Sequence, residues 1–422
     1  MNSKFGIQQV LVSILLVTMF AAASLLEFGS TTVPIDPVVL KLRYLLVFLS
    51  LIGIFLLALK DKRNWHEWKF NRQLNPFLGI WIAFCGMVEI SGCINQDLIS
   101  IRDGYWLMIG VPLFFFYAIP RLLKGTGNAV IPSALVISHM PFLLGSLIFN
   151  PPFTADQIFY SGILGNSNQL GFVSTVTAAG ILILLWGGFC AKKPFFLLCF
   201  LVSLLIITIG VLFFAFARTS IISLVVMILV CATIFFLRQP KSLIKIAFVS
   251  SFVISILLFQ LDRISQYISY GLGIDIFSLF QKKEAGLSGR EEIWLRTIKE
   301  ATILGHGSSY YDSFEHGPHN TIIKMLGVYG AISMYITIFL AIASIIYARA
   351  YFKAHFSTNF YAMTPLIITI CFWMLSIGED MFGSLGKGIT LAYFATMGVM
   401  MTEFSPKESS QSSRQLSTIP EK

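Results

Sequence analysis

Charge is what this sequence has least of. Lys and Arg number 30 and Asp and Glu 21 in 422 residues, so 12% of the chain is charged and 56% is hydrophobic. A soluble domain carries roughly twice that share of charge. With a mean hydropathy of +0.78, the composition excludes a soluble protein and exceeds what a single membrane anchor needs. Cysteine is sparse too. Cys85, Cys93, Cys190, Cys199, Cys231 and Cys371 lie in or beside apolar runs and form no Cys-x-x-Cys pair. They indicate neither a disulfide framework nor a zinc knot. No Walker loop, dinucleotide fingerprint or Gly-x-Ser-x-Gly elbow occurs, which leaves ATP-driven transport and serine-hydrolase chemistry without support. The sequence has no strong internal repeat of the kind that marks transporters built from two similar halves.

Long apolar runs are abundant. About 20 such residues cross the hydrocarbon layer, and roughly twelve segments qualify, which predicts an all-α polytopic membrane protein. Residues 1–261 are expected to form a bundle of about nine transmembrane helices, and residues 262–320 one long, partly helical loop. Residues 321–402 should then form about three further helices, and 403–422 a disordered tail rich in Ser, Gln and Pro. The fourth segment, Tyr105 to Ile119, is short, and the ninth runs from Ile244 to Leu261. Lys4 followed by an apolar run and Ala21-Ala22-Ala23 has the form of a secretory signal. It is read as the first membrane helix, because its removal would invert the topology that the other loops support.

Loops rich in Lys and Arg stay in the cytoplasm. One alternate set holds Lys60, Lys62, Arg63, Lys69, Arg72, Arg121, Lys124, Lys192, Lys193, Arg238, Lys241, Arg349 and Lys353. The opposite set holds Glu27, Asp36, Asp97, Asp103, Asp156, Glu379 and Asp380. Both termini are therefore expected in the cytoplasm and the long loop outside. The net charge of +9 is then mostly a topology signal with some attraction to anionic membrane lipid, and no nucleic-acid partner is implied.

The long loop carries the densest chemistry. Ser288-Gly289-Arg290-Glu291 reads as a capping box. It predicts a surface helix through Ile293, Trp294, Ile298 and Ala301 that stops near Leu304, before Gly305. Arg290 falls in its first turn, where free N–H groups and the helix dipole favour an anion such as diphosphate. The alternative is that Arg290 pairs only with Glu291, Glu292 or lipid phosphate. Arg218 lies between two apolar segments, either as an intramembrane functional charge or as a loop arginine snorkelling to the surface. His319 precedes Asn320 and Thr321, which can cap the next helix. It is available as a base, or it is simply a polar loop residue. His306, His316 and His319 with Asp312 and Glu315 match no standard metal spacing. Asn166 and Asn168, in Gly165-Asn166-Ser167-Asn168, either cap a helix or bind sugar. Glu89, Glu379, Asp380 and Lys387 either line an outer cavity or pair with Arg218 and Lys387.

The run Ser288-Gly289-Arg290-Glu291-Glu292-Ile293-Trp294, the turn Gly305-His306-Gly307 and the pair His319-Asn320 entering a membrane helix resemble the long extracytoplasmic loop of the O-antigen ligase and polymerase superfamily. The resemblance is local to this loop and its flanks. It implies a GT-C-like fold in the bacterial inner membrane and transfer of a glycan from a polyprenyl diphosphate to a hydroxyl, with inversion. By resemblance the acceptor is lipid A core, Arg218 and Arg290 hold the donor diphosphate, and His319 activates the acceptor, without cofactor or metal. The Asn166-x-Asn168 pair resembles a motif that often opens a helix in this superfamily. An O-antigen or capsule polymerase and a protein O-oligosaccharyltransferase remain alternatives within this chemistry, and a secondary transporter of a small anion is the alternative outside it. One large outer loop slightly favours ligase over polymerase.

The charge pattern makes a direct prediction. Cysteines introduced near Asp275 and Ser309 should react with a membrane-impermeant thiol reagent added outside the cell, and one near His66 should not. Reversed labelling would overturn the assignment of sides.

Overall fold

The structure, a computed structural model, describes residues 6–25, 37–61, 75–152, 160–238, 290–314, 317–382 and 387–403. Among the described residues regular structure is entirely helical, and nine helices are long and apolar enough to cross a membrane. These are α1 (Ile7–Ser24), α2 (Pro37–Lys60), α3 (Asn75–Ile94), α4 (Leu98–Leu122), α5 (Gly127–Phe149), α6 (Ser167–Cys190), α7 (Phe195–Ala215), α8 (Arg218–Arg238) and α10 (Thr321–His355). Between the last two lies the short amphipathic α9 (Arg290–Lys299), and after them come α11 (Thr364–Gly378) and α12 (Gly388–Glu403). The chain is an all-α polytopic membrane protein. The predicted ninth segment, the Ser288 capping box and most of the tail lie outside the described residues.

Two expectations are corrected. The fourth segment is not short, because Leu98–Leu122 is one 25-residue span. The Asp97 carboxylate caps its start by accepting from the Ile99 N–H at 3.1 Å, so a stretch that reads as a polar loop is already helix. Within it, Trp106–Gly110 and Pro112–Ala118 widen to π geometry. The surface helix α9 ends at Lys299 and not near Leu304, and Ile298 is exposed while Ile293 and Thr297 are buried. Glu300 explains the early stop. Its side chain accepts from Arg296 and Tyr310 at 2.8 Å each, and its carbonyl meets His306 Nε2 at 2.8 Å, so the chain turns away.

Helices α6, α11 and α12 form the centre of the bundle, buried on nearly every face, whereas α7 and α8 present Phe195, Phe196, Ile206, Ile222 and Leu229 outward as lipid-facing surface. In hydrocarbon no water satisfies polar groups. The hydroxyls of the central helices therefore bond back to their own backbone, as Ser174 does to the Leu170 carbonyl at 2.7 Å and Thr177 to Val173 at 2.6 Å.

Helix α10 is interrupted at Gly330, whose φ of 92° and ψ of 176° are extended in a way open to glycine. The freed backbone pairs with the loop after α9. The His306 N–H donates to the Gly327 carbonyl at 2.9 Å, Gly307 N–H to Val328 at 3.0 Å, and Ala331 N–H to Thr302 at 2.9 Å. The approach is so close that a Cβ on Gly305 would sit 2.2 Å from the Val328 oxygen, and one on Gly330 would sit 2.2 Å from that of Ile303. Ser91 of α3 donates to the Leu304 carbonyl at 2.6 Å, and Asp97 accepts from the Ser308 N–H at 2.5 Å and hydroxyl at 2.8 Å. The loop is thus fastened to α3, α4 and α10 together.

Burial pushes the Asp97 carboxyl up, but hydrogen bonds from Ser100 and from the Ser308 N–H and hydroxyl outweigh it and hold the group below its ordinary value of 3.8. A depressed folded value contributes stability above the unfolded value, and this is lost as pH falls through the folded one. Amide exchange at Ser308 should therefore accelerate as pH drops below about 4 relative to the exposed-peptide rate. The Asp97→Asn variant should lack this acid step, and an unchanged step in that variant would refute the assignment.

Candidate functional site

The described residues of the connection between α11 and α12 include three charged side chains. At about 1.5 Å per residue the 15 residues of α11 reach only about 22 Å, short of the roughly 30 Å hydrocarbon layer. The connection carries Glu379, Asp380 and Lys387.

Three ties bind this connection to the N-terminus of α10. The Glu379 carboxylate meets His319, with Oε2 3.0 Å from Nδ1. The Thr321 hydroxyl donates to the Glu379 carbonyl at 3.0 Å and accepts from the Met381 N–H at 3.0 Å. Lys324, one turn further, pairs with Asp380. His319 itself has a φ of 46°, a left-handed conformation that costs a non-glycine residue about 1–2 kcal/mol. Asn320 then takes up the cap, its side chain accepting from Ile322 N–H at 2.9 Å and Ile323 N–H at 3.1 Å.

Arg290, the first residue of α9, reaches the same place. Its guanidinium donates to the Gly378 carbonyl at 3.3 Å and lies 3.9 Å from Glu379 Oε1. The carbonyl contact is the better bond, and the carboxylate contact is a loose ion pair. Trp294, one turn along α9, donates its indole N–H to the Pro318 carbonyl at 2.7 Å and so fixes α9 beside His319. Arg290, His319, Glu379 and Asn320 are therefore brought together. Glu379 is only 12% exposed and His319 35%, so the imidazole is the more accessible partner of a half-buried carboxylate. With Nδ1 engaged by Glu379, Nε2 has no hydrogen-bond partner among the described residues.

Arg218, exposed at the first position of α8, adjoins this cluster through its neighbour. A Cβ on Gly378 would lie 2.2 Å from the Thr219 hydroxyl oxygen, so the start of α8 is packed against the end of α11. The start of α6 lies beside it, since a Cβ on Gly171 would meet that of Ala217 at 2.3 Å. Asn166 caps α6 by accepting from the Gln169 N–H at 3.0 Å, and Asn168 is half-buried in its first turn. The positive ends of α6, α8, α9 and α10 thus gather around one region. Lys387 stands apart, its ammonium 5.5 Å from the Phe172 ring centroid.

The histidines are separated. His306 stacks on Tyr310 at 4.7 Å and bonds Glu300, while His316 and Glu315 are outside the described residues. Among the described residues no three His, Cys, Asp or Glu side chains are placed to hold a metal ion. Lys324 was invisible to motif reading. Its signal in the sequence is a lone lysine one turn into an apolar helix, a costly placement without a partner. Compared with known proteins, the chain matches no family model and no curated protein sequence.

Removing one partner of a buried ion pair costs about 3–5 kcal/mol. The Lys324 and Asp380 side chains are 31% and 29% exposed, so Lys324→Met should cost about half of that. The double variant Lys324→Met/Asp380→Asn should recover most of the loss in thermal unfolding of the detergent-purified protein. Strict additivity of the two single effects would refute the coupling.

Proposed function

We propose that this chain is a membrane glycosyltransferase of the O-antigen ligase type, moving a glycan from a polyprenyl diphosphate to a hydroxyl of lipid A core. The reaction would lie on the periplasmic face of the bacterial inner membrane, with both termini cytoplasmic. One observation carries the reading. His319, backed by the half-buried Glu379, stands beside Arg290 at a place where several helix N-termini meet, and this joins a base to an anion site.

In this reading the acceptor hydroxyl oxygen attacks the anomeric carbon from the face opposite the diphosphate, and its proton passes to His319 Nε2. The Glu379 carboxylate at Nδ1 fixes the ring tautomer and stabilises the imidazolium as it forms. The bond to diphosphate breaks with inversion, and Arg290 and Arg218 neutralise the charge that develops on the leaving group. The loose contact of Arg290 with Glu379 leaves its remaining N–H donors for phosphate oxygens. A polymerase would use the same parts with a second lipid-linked glycan as acceptor.

The His319→Ala variant should lose about 10² or more in transfer rate, while His306→Ala, distant from the cluster, should keep substantial activity. Arg290→Lys and Arg218→Lys should each lose most activity despite keeping the charge, because a point charge does not replace a planar fork on diphosphate. Wild-type transfer by well-inserted lysine variants would contradict the diphosphate role. A deletion strain whose lipid A core lacks attached polymer indicates a ligase, and one showing a single-repeat band indicates a polymerase.

A further inference from the structure

The free side of α9 and of the chain after it is not polar throughout. Arg290, Trp294 and Thr297 hold one side of the helix down through the Gly378 carbonyl, the Pro318 carbonyl and the Tyr311 hydroxyl, and Ile293 is buried with them. Leu295 and Ile298, one turn apart on another side, are 57% and 54% exposed, and Ile303 is 67% exposed. Scattered apolar residues on a surface need no explanation. What matters is where these three stand.

After its break at Gly330, α10 shows an exposed apolar stripe of Ile332, Tyr335, Phe339, Ile342 and Ile346. They alternate at three and four residues, so they share one side of the helix, and a membrane-spanning helix turns such a side to lipid. Arg349, exposed and next in the same spacing, closes the stripe at its far end. The near end is Ile332. The Ala331 N–H donates to the Thr302 carbonyl at 2.9 Å, and this brings Ile303 to that end. The exposed apolar residues of the loop therefore continue a lipid-facing surface. Tyr335 carries the amphipathic ring that collects at membrane–water interfaces. Lys299, exposed directly after Ile298, offers an ammonium to lipid phosphate.

We propose that Leu295, Ile298 and Ile303 seat α9 and the chain after it in the interface of the bilayer, against phospholipid, with Lys299 at the level of the phosphates. An interfacial helix sinks its apolar side about 5–10 Å into the boundary between headgroups and acyl chains. Lipid is the partner because these residues extend the lipid-facing side of α10 and have a cation beside them. Arg290 opens the same helix, so the seating fixes its height relative to the headgroups, whether or not the chain transfers glycan.

The test is the accessibility of nitroxide labels in the full chain, with its six native cysteines replaced by alanine, in nanodiscs of phosphatidylcholine and phosphatidylglycerol. Labels on Leu295→Cys, Ile298→Cys and Ile303→Cys should collide more with oxygen dissolved in lipid than with a water-soluble nickel chelate, at a depth of about 5–10 Å. A label on Ser309→Cys, exposed in the turn beyond Gly307, should show the reverse. Free collision of the three labels with the chelate would overturn the seating. Shielding from both reagents would show that protein covers these residues, a second copy or another part of this chain, and would overturn it equally. If the cysteine-free chain does not insert, benzoylphenylalanine placed at the same three positions gives the same reading in the native background. Photo-adducts with lipid support the proposal, and adducts with protein alone reject it.

Discussion

The arrangement depends on one set of backbone hydrogen bonds, those between the interrupted α10 and the loop 302–307. A break in a membrane helix exposes peptide groups that hydrocarbon cannot satisfy. Here the loop satisfies them, with His306 and Gly307 donating into α10 and Ala331 donating back to Thr302. This pairing fixes the position of the loop, and with it α9 and Arg290, relative to the α10 N-terminus that carries His319. Gly305 and Gly330 are the residues that let the two chains approach so closely. The polar connection between α11 and α12 then closes the arrangement from the other side through Glu379, Thr321 and Asp380.

What was legible in the sequence was local chemistry. Asparagine before a helix is a cap by its own side chain, and Asn320 and Asn166 behave as such. Apolar run length revealed the membrane class and most spans. Partners distant in sequence were not legible. Glu379 lies 60 positions from His319, and nothing in the local pattern distinguishes it from the adjacent Asp380, which serves Lys324 instead. The same limit hid the length of α4, since Asp97, Arg102 and Asp103 resemble a loop until Ser308 and the cap geometry account for Asp97. The α9 stripe was misjudged beyond Thr297 for a related reason: the helix ends where Glu300 finds Tyr310, ten residues away.

The pair His319 and Glu379 has the form of a base with its orienting carboxylate, and the strain at His319 is consistent with a residue held by its surroundings. Arg290 shares Glu379 without a close ion pair, so its charge is neither consumed by the protein nor left in hydrocarbon alone. In the proposed function that balance leaves Arg290 for the donor diphosphate.

The shortness of α11 has a consequence for how the protein sits among lipids. A helix too short for its bilayer ordinarily thins the membrane around it or tilts its neighbours. α11 is mostly buried among longer helices, so acyl chains meet the full-length shell of α7, α8 and the others, and its mismatch is absorbed within the protein. Changes in bilayer thickness would therefore bear on the tilt of the shell before they reach α11.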